Sequence, residues 1–142
     1  MIHLEHVNLV VRNITASLAF YQAAFPHWTV RGGGKGTWYG KPRNWIHFGD
    51  DYQYLAFNDD GEADNRDLTG HQVGLAHFAF VTHDLDGLCN RLEKAGFNVD
   101  KDGASDPYRR NVYFIDPDGF EVEFVQYLTD QPNERNNYNM SS

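Results

Sequence analysis

The second half of this chain repeats the plan of the first, and nothing else in the sequence limits its fold as strongly. Setting His6 on His77 also sets Asn13 on Asp84, Ile14 on Leu85, Tyr21 on Leu92 and Ala24 on Ala95 without a gap. Each half reads as a short strand, an Asx turn, a helix and further strands, so the order βαβββ occurs twice. A unit of this kind leaves one sheet face open, and two of them bury their open faces against each other rather than forming separate domains. The expectation is therefore an α+β fold of two βαβββ modules, about residues 1–58 and 73–128, within one domain of residues 1–128.

In the first half, residues 6–11 alternate, with Val7, Leu9 and Val11 on one side and His6, Asn8 and Val10 on the other. Asn13 stands where a helix cap belongs, and Leu18, Tyr21 and Phe25 follow at helical spacing until Pro26. A strand over 28–31 runs into Gly32-Gly33-Gly34-Lys35-Gly36, which lacks the GxxxxGK[ST] pattern and reads as a flexible loop rather than a phosphate cradle. Strands over 45–48 and 52–57 complete the module, and the polar, acidic stretch 59–72 is the linker. The second half gives a strand over 77–81, a helix over 85–95 stopped by Gly96, a strand over 97–100 and a loop over 103–110. A hairpin over 112–127 closes it, turning on Asp116-Pro117-Asp118-Gly119. Residues 129–142 have no apolar period and read as a polar, flexible tail.

Composition narrows the function. An apolar content of 41% with 15% aromatic residues belongs to a folded protein, and no run approaches the roughly 18 apolar residues of a membrane span. The N-terminus has no secretory pattern, so a cytoplasmic location without membrane attachment is expected. The single cysteine, Cys89, excludes an internal disulfide and a cysteine-rich zinc site. A net charge of −8 argues against a nucleic-acid groove. Arg109-Arg110 is the only adjacent basic pair, enough to hold one small anionic substrate.

The repeat also gives the histidines a meaning. His6 and His77 open the first strand of each module in the same register, with Val7 and Leu9 or Phe78 and Phe80 turned to the helices, so both imidazoles face the open side. In the last strand Val122 and Phe124 are the natural helix-packing pair, which leaves Glu121, Glu123 and Val125 on the other face. A carboxylate flanked by apolar residues needs a partner. His6, His77 and Glu123 therefore form a candidate site for one divalent metal ion: Fe, Mn, Ni or Zn. The remaining histidines read as structural, with His47 placed to line the site.

HVNLVVRNITASLAFYQAAFP, GLAHFAFVTHDLDGLCNRLEKAGFNV and YFIDPDGFEVEFVQ together resemble the vicinal oxygen chelate superfamily, which includes glyoxalase I, extradiol dioxygenases, fosfomycin-resistance proteins and bleomycin-binding proteins. The resemblance implies paired modules curling into a cup-shaped, partly open mixed β-barrel with helices outside, around a divalent metal. Its histidine positions fall on His6 and His77 and its C-terminal glutamate on Glu123. It also implies a homodimer. Glyoxalase I enzymes use a further glutamate in the last strand of the first module. That stretch here is Tyr52-Gln53-Tyr54-Leu55-Ala56-Phe57, and Tyr54 is expected in the ligand register, so glyoxalase I activity is not expected. Asn8, Arg110, Tyr113 and Trp45 are expected to contact substrate, and Tyr54 to act beside Glu123 in catalysis.

Two functions follow. The favoured one is a metal-dependent enzyme, lyase, isomerase or extradiol-dioxygenase-like, acting on a small substrate that chelates through adjacent oxygens. The alternative is a metal-free protein that sequesters a drug or metabolite, as bleomycin-resistance proteins do. Group transfer to fosfomycin ranks lower, because the sequence carries no clear thiol or potassium-binding signature.

Overall fold

A computed structural model describes residues 1–139; residues 140–142, the end of the expected tail, lie outside the described residues. The chain packs as two units, Met1–Asp64 and a second that begins at Asn65. In the first, β1 (His6–Val10), α1 (Ile14–Ala24), β2 (Thr29–Trp38), β3 (Lys41–Gly49) and β4 (Tyr54–Asn58) follow one another. Their sheet has the order β1-β4-β3-β2, with β1 parallel to β4 and the other pairs antiparallel. Parallel neighbours need a crossover connection, and α1 stands at its start.

The capping expectation holds. Asn13 accepts a hydrogen bond from the Ala16 amide at 2.9 Å, which satisfies a donor that the first turn leaves free. The helix buries Ser17, Phe20, Tyr21 and Ala24. Tyr21 meets Phe57 of β4 with ring centres 5.3 Å apart, and Leu9, Val11, Phe48 and Leu55 complete the buried layer. Trp28 closes one end, stacked on Phe25 at 4.2 Å and set edge-on to Phe48 at 5.8 Å.

The second unit holds β5 (Phe78–Val81), α2 (Leu85–Lys94), β6 (Lys101–Asp102), β7 (Arg109–Ile115), β8 (Glu121–Tyr127) and the short α3 (Pro132–Arg135). Its order, β5-β8-β7-β6, repeats the first, again with the first strand parallel to the last. Asp84 caps α2 by accepting from the Gly87 amide at 2.9 Å. Leu85, Leu88 and Leu92 are buried, as are Val112, Phe114, Val122 and Phe124 of the sheet. Two mixed, open, four-stranded sheets, each with its helix on one face, are the expected pair of βαβββ modules. No helix among the described residues is long and apolar enough to cross a membrane.

Three local readings need correction. The glycine run is not a loop: β2 passes straight through it, paired with β3 from Thr29 to Trp38, with one register shift between Val30 and Gly32. Missing side chains make the pairing possible, since a Cβ on Gly33 would stand 2.5 Å from the Trp45 carbonyl oxygen and one on Gly34 would stand 3.2 Å from the Trp45 indole. The strand expected over 97–100 lies at Lys101–Asp102. Phe97 is still part of the end of α2, its amide donating to the Leu92 carbonyl at 2.8 Å around Gly96, whose φ is +95°. The stretch after β8, which showed no apolar period, contains α3, and the Arg135 guanidinium lies 3.9 Å from the centre of the Tyr127 ring.

Gly33→Ala is expected to lower stability by about 1–3 kcal/mol, seen as a lower urea midpoint. Gly32→Ala, with nothing within 4 Å of the added methyl, should change stability by less than about 0.5 kcal/mol. Equal midpoints for the two variants would mean that β2 is not held against β3 at Gly33. Asn13→Ala and Asp84→Ala should each cost about 1 kcal/mol in the same measurement.

Candidate functional site

In the first unit the face turned away from α1 carries His6 and Asn8 of β1, Tyr54, Ala56 and Asn58 of β4, and Trp45 and His47 of β3, as their cross-strand pairing requires. Tyr54 lies between two imidazoles. Its ring stacks on His6 at 4.6 Å, with an interplanar angle of 7°, and on His47 at 4.3 Å and 22°. The flanking strands β1 and β3 place one on each side. Trp45 extends the row, 5.1 Å from His47, and the Arg31 guanidinium lies 4.6 Å from the Tyr54 ring centre. Burial, then the charge of Arg31 and then His6, hold the His47 pKa below its usual value, which favours the neutral, apolar form of that ring. His6 Nδ1 is 2.8 Å from Glu5 Oε1. The Asn8 carboxamide oxygen is engaged: it accepts from Asn58 Nδ2 at 2.6 Å, and that same Nδ2 also donates to the Leu9 carbonyl at 3.1 Å.

The corresponding face of the second unit is acidic. Glu121 and Glu123 of β8 have side chains only 11% and 14% exposed, and both contact His77, which directly precedes β5. His77 Nε2 is 3.1 Å from Glu123 Oε1, and Nδ1 is 3.7 Å from Glu121 Oε2. Asn111 Nδ2 donates to Glu123 Oε2 at 3.0 Å. Lys101 Nζ donates to Glu121 Oε1 at 2.8 Å, and this bond raises the lysine pKa. Tyr113 stands across from Glu123, with its ring edge-on to His77 at 5.4 Å and Lys101 Nζ 4.9 Å from its centre. Burial, then the Glu123 and Glu121 charges, push the Tyr113 phenol up, so it remains a hydrogen-bond donor.

Comparing the two registers corrects the equivalence of Tyr54. His6 pairs with Tyr54 and Asn8 with Ala56, whereas Phe78 pairs with Val122 and Ala79 with Glu123. The turns agree: the Asp50 amide donates to the Gln53 carbonyl as the Asp116 amide donates to that of Phe120. Tyr54 therefore repeats Glu121, and the residue that repeats Glu123 is Ala56. A methyl group, not a phenol, stands at the position that repeats Glu123. Tyr54 and Ala56 share a face, which alternation alone could not separate.

Arg110 also lies elsewhere than expected. It shares the helix side of β7 with Val112 and Phe114, and its Nη2 is 2.8 Å from Asp86 Oδ1 in the first turn of α2. Its neighbour Arg109 is the arginine on the side of Asn111 and Tyr113, with Nε 3.7 Å from Asp106 Oδ2. Glu121 and Asn111 could have been found by counting in twos from Glu123 and Tyr113. Lys101 could not, because its place depends on the short pairing of β6 with β7.

Of the expected metal ligands, the structure brings His77 to Glu123 and sets His6 on Tyr54. Among the described residues, no group of three or more His, Cys, Asp and Glu side chains is gathered as a metal site. His77 Nε2 and Glu123 Oε1, 3.1 Å apart, are a nitrogen and an oxygen donor of the kinds that hold first-row divalent ions.

Known structures share this fold. A glyoxylase/bleomycin resistance protein/dioxygenase domain from Frankia sp. EAN1pec superposes with a TM-score of 0.73 at 24% identity, covering 96% of this chain and 99% of that one. A glyoxalase family protein from Bacillus cereus gives 0.72 at 14% identity, covering 91% and 96%. A mutant of the fosfomycin resistance protein FosX from Listeria monocytogenes, complexed with Mn(II) and 1S,2S-dihydroxypropylphosphonic acid, gives 0.66 at 20% identity, covering 87% and 92%. At these identities the likeness concerns the fold. The family model described as Glyoxalase/Bleomycin resistance protein/Dioxygenase superfamily matches residues 3–124, and with that match spanning both modules the chain belongs to this superfamily.

Proposed function

We propose that the protein is a metal-dependent enzyme of the vicinal oxygen chelate type, acting on a small substrate that chelates through adjacent oxygens. His6, His77 and Glu123 would hold one divalent ion, Fe, Mn, Ni or Zn. The observation that carries this reading is the 3.1 Å approach of His77 Nε2 to Glu123 Oε1, with the other carboxylate oxygen held by Asn111. Two ligand types that suit the same ion thus meet on one sheet face, and His6 occupies the repeated position in the other module. The modules would serve one site as a single domain of residues 1–128, in a homodimer, with His6 from either chain.

When bound, the ion supplies Lewis-acid stabilisation of negative charge on a substrate oxygen. The chain's own residues orient and exclude. Asn111 keeps Glu123 from rotating, and Tyr113, protonated in its acidic surroundings, can donate to a substrate oxygen. The row formed by His6, Tyr54, His47 and Trp45 offers flat, weakly polar surface to the carbon skeleton, and the Tyr54 hydroxyl can donate from within it. With Ala56 in place of a fourth carboxylate, the set leaves room for a bidentate substrate, which favours lyase or dioxygenase chemistry over that of glyoxalase I.

A metal-free binding protein is the second reading. It is favoured by the absence of a three-donor group among the described residues and by the partners that His77 and Glu123 already offer each other.

Metal analysis after supplementation with each of the four ions separates the two. The enzyme reading expects one equivalent in the wild type and none retained by His77→Ala. Failure of the wild type to take up any of the four would leave only the binding protein.

A further inference from the structure

Each histidine of the repeated pair has a carboxylate beside its Nδ1, and the two carboxylates come from different places. In the first unit the acid is Glu5, directly before His6, with Oε1 2.8 Å from Nδ1. The residue directly before His77 is Ala76, which offers nothing. There the acid is Glu121 on the adjacent strand, its Oε2 3.7 Å from Nδ1. The register accounts for the exchange, because the residue paired with His6 is Tyr54, and Tyr54 repeats Glu121. One module has an acid at the preceding position and a ring across the strand; the other has a methyl group and an acid. Neither has both acids.

A carboxylate can only accept a hydrogen bond, so the imidazole nitrogen facing it carries the proton and the other keeps its lone pair. At His77 this rule selects no single site, because Glu123 stands 3.1 Å from Nε2 and Glu121 3.7 Å from Nδ1. Glu121 is itself held, by Lys101 at 2.8 Å, and is largely buried. We infer that Glu5 is a positioning residue, which keeps His6 protonated at Nδ1 and so directs Nε2 to the metal. The inference rests on the metal-dependent reading above. A carboxylate behind a ligating histidine fixes its tautomer and raises its basicity, and losing one typically lowers metal affinity about 10–100-fold.

Two measurements test it. In metal-free wild type in alkaline buffer, long-range 1H–15N spectra should show His6 protonated at Nδ1 and bare at Nε2, and Glu5→Ala should lose that preference. In competition with a fluorescent chelator, Glu5→Ala should bind Mn(II) and Zn(II) about 10–100-fold more weakly than wild type. Glu5→Gln, which keeps an acceptor oxygen and the side-chain volume, should fall between, and it carries the test if the alanine variant does not fold. A His6 proton on Nε2, or variant affinities equal to wild type, overturns the inference while leaving a metal-binding wild type intact. If the wild type takes up neither ion, the metal-dependent reading fails, and the His6 nitrogen signature alone decides the role of Glu5.

Discussion

The parallel pairing of first strand with last strand, made once in each unit, is what the candidate site depends on. It sets His6 beside Tyr54, and it sets Phe78 beside Val122 with His77 one step earlier. A slip of one residue would turn every side chain of the strand over, taking the imidazole into the helix layer and Val7 or Phe78 out of it. The tight turns before the last strands oppose such a slip. Asp50 Oδ1 accepts from the amides of Tyr52 and Gln53, and Asp116 Oδ1 accepts from those of Asp118 and Phe120. A carboxylate bonded to two amides is stabilised in its charged form, and these bonds lower the Asp50 pKa. The sequences of the turns differ, yet both deliver the last strand in the same phase.

That phase has an electrostatic cost in the second unit. Glu121 and Glu123 lie on the same side of one strand and are mostly withdrawn from water, where two like charges would raise each other's energy. Lys101 offsets one and Asn111 binds the other, while His77 stands between them. Three elements contribute to this balance: the approach to β5, β6 and β7. In the first unit the same positions carry Tyr54 and Ala56, so there is no charge to balance, and β2 can thin to glycine opposite Trp45 and His47.

The features legible in the sequence were those written in local period or in the repeat. Asn13 and Asp84 announced their helices, Asp116 to Gly119 announced the hairpin, and His6 and His77 were found through their shared register. What escaped depended on partners distant in sequence. The glycine run reads as flexible because flexibility is what glycine gives an isolated chain; only the approach of Trp45 shows why the side chains are missing. Arg110 reads as a substrate contact when the hairpin is taken to begin at Val112, three residues after β7 starts at Arg109, which hides the alternation that sends Arg110 to Asp86 and Arg109 to the face of Tyr113. Period two put Tyr54 and Ala56 on one side, but choosing between them requires the length of the turn at Asp50.

Duplication followed by divergence explains why the halves look unlike where they are most alike in geometry. One imidazole per module is kept in the same place, and the residue across from it has become a ring in one module and an acid in the other. A ring stacks on the imidazole face and leaves both nitrogens at the edge unengaged, so it can steady the plane of His6 but cannot select a protonation site. At His77 acids stand at both edge nitrogens, Glu123 3.1 Å from Nε2 and Glu121 3.7 Å from Nδ1. Glu5 supplies to the first histidine the edge contact that Tyr54 cannot, and Tyr113, set edge-on, supplies to the second the ring contact that Glu121 cannot. Each imidazole therefore ends with one aromatic neighbour fixing its plane and one carboxylate at Nδ1, although no residue that provides either is shared between the modules.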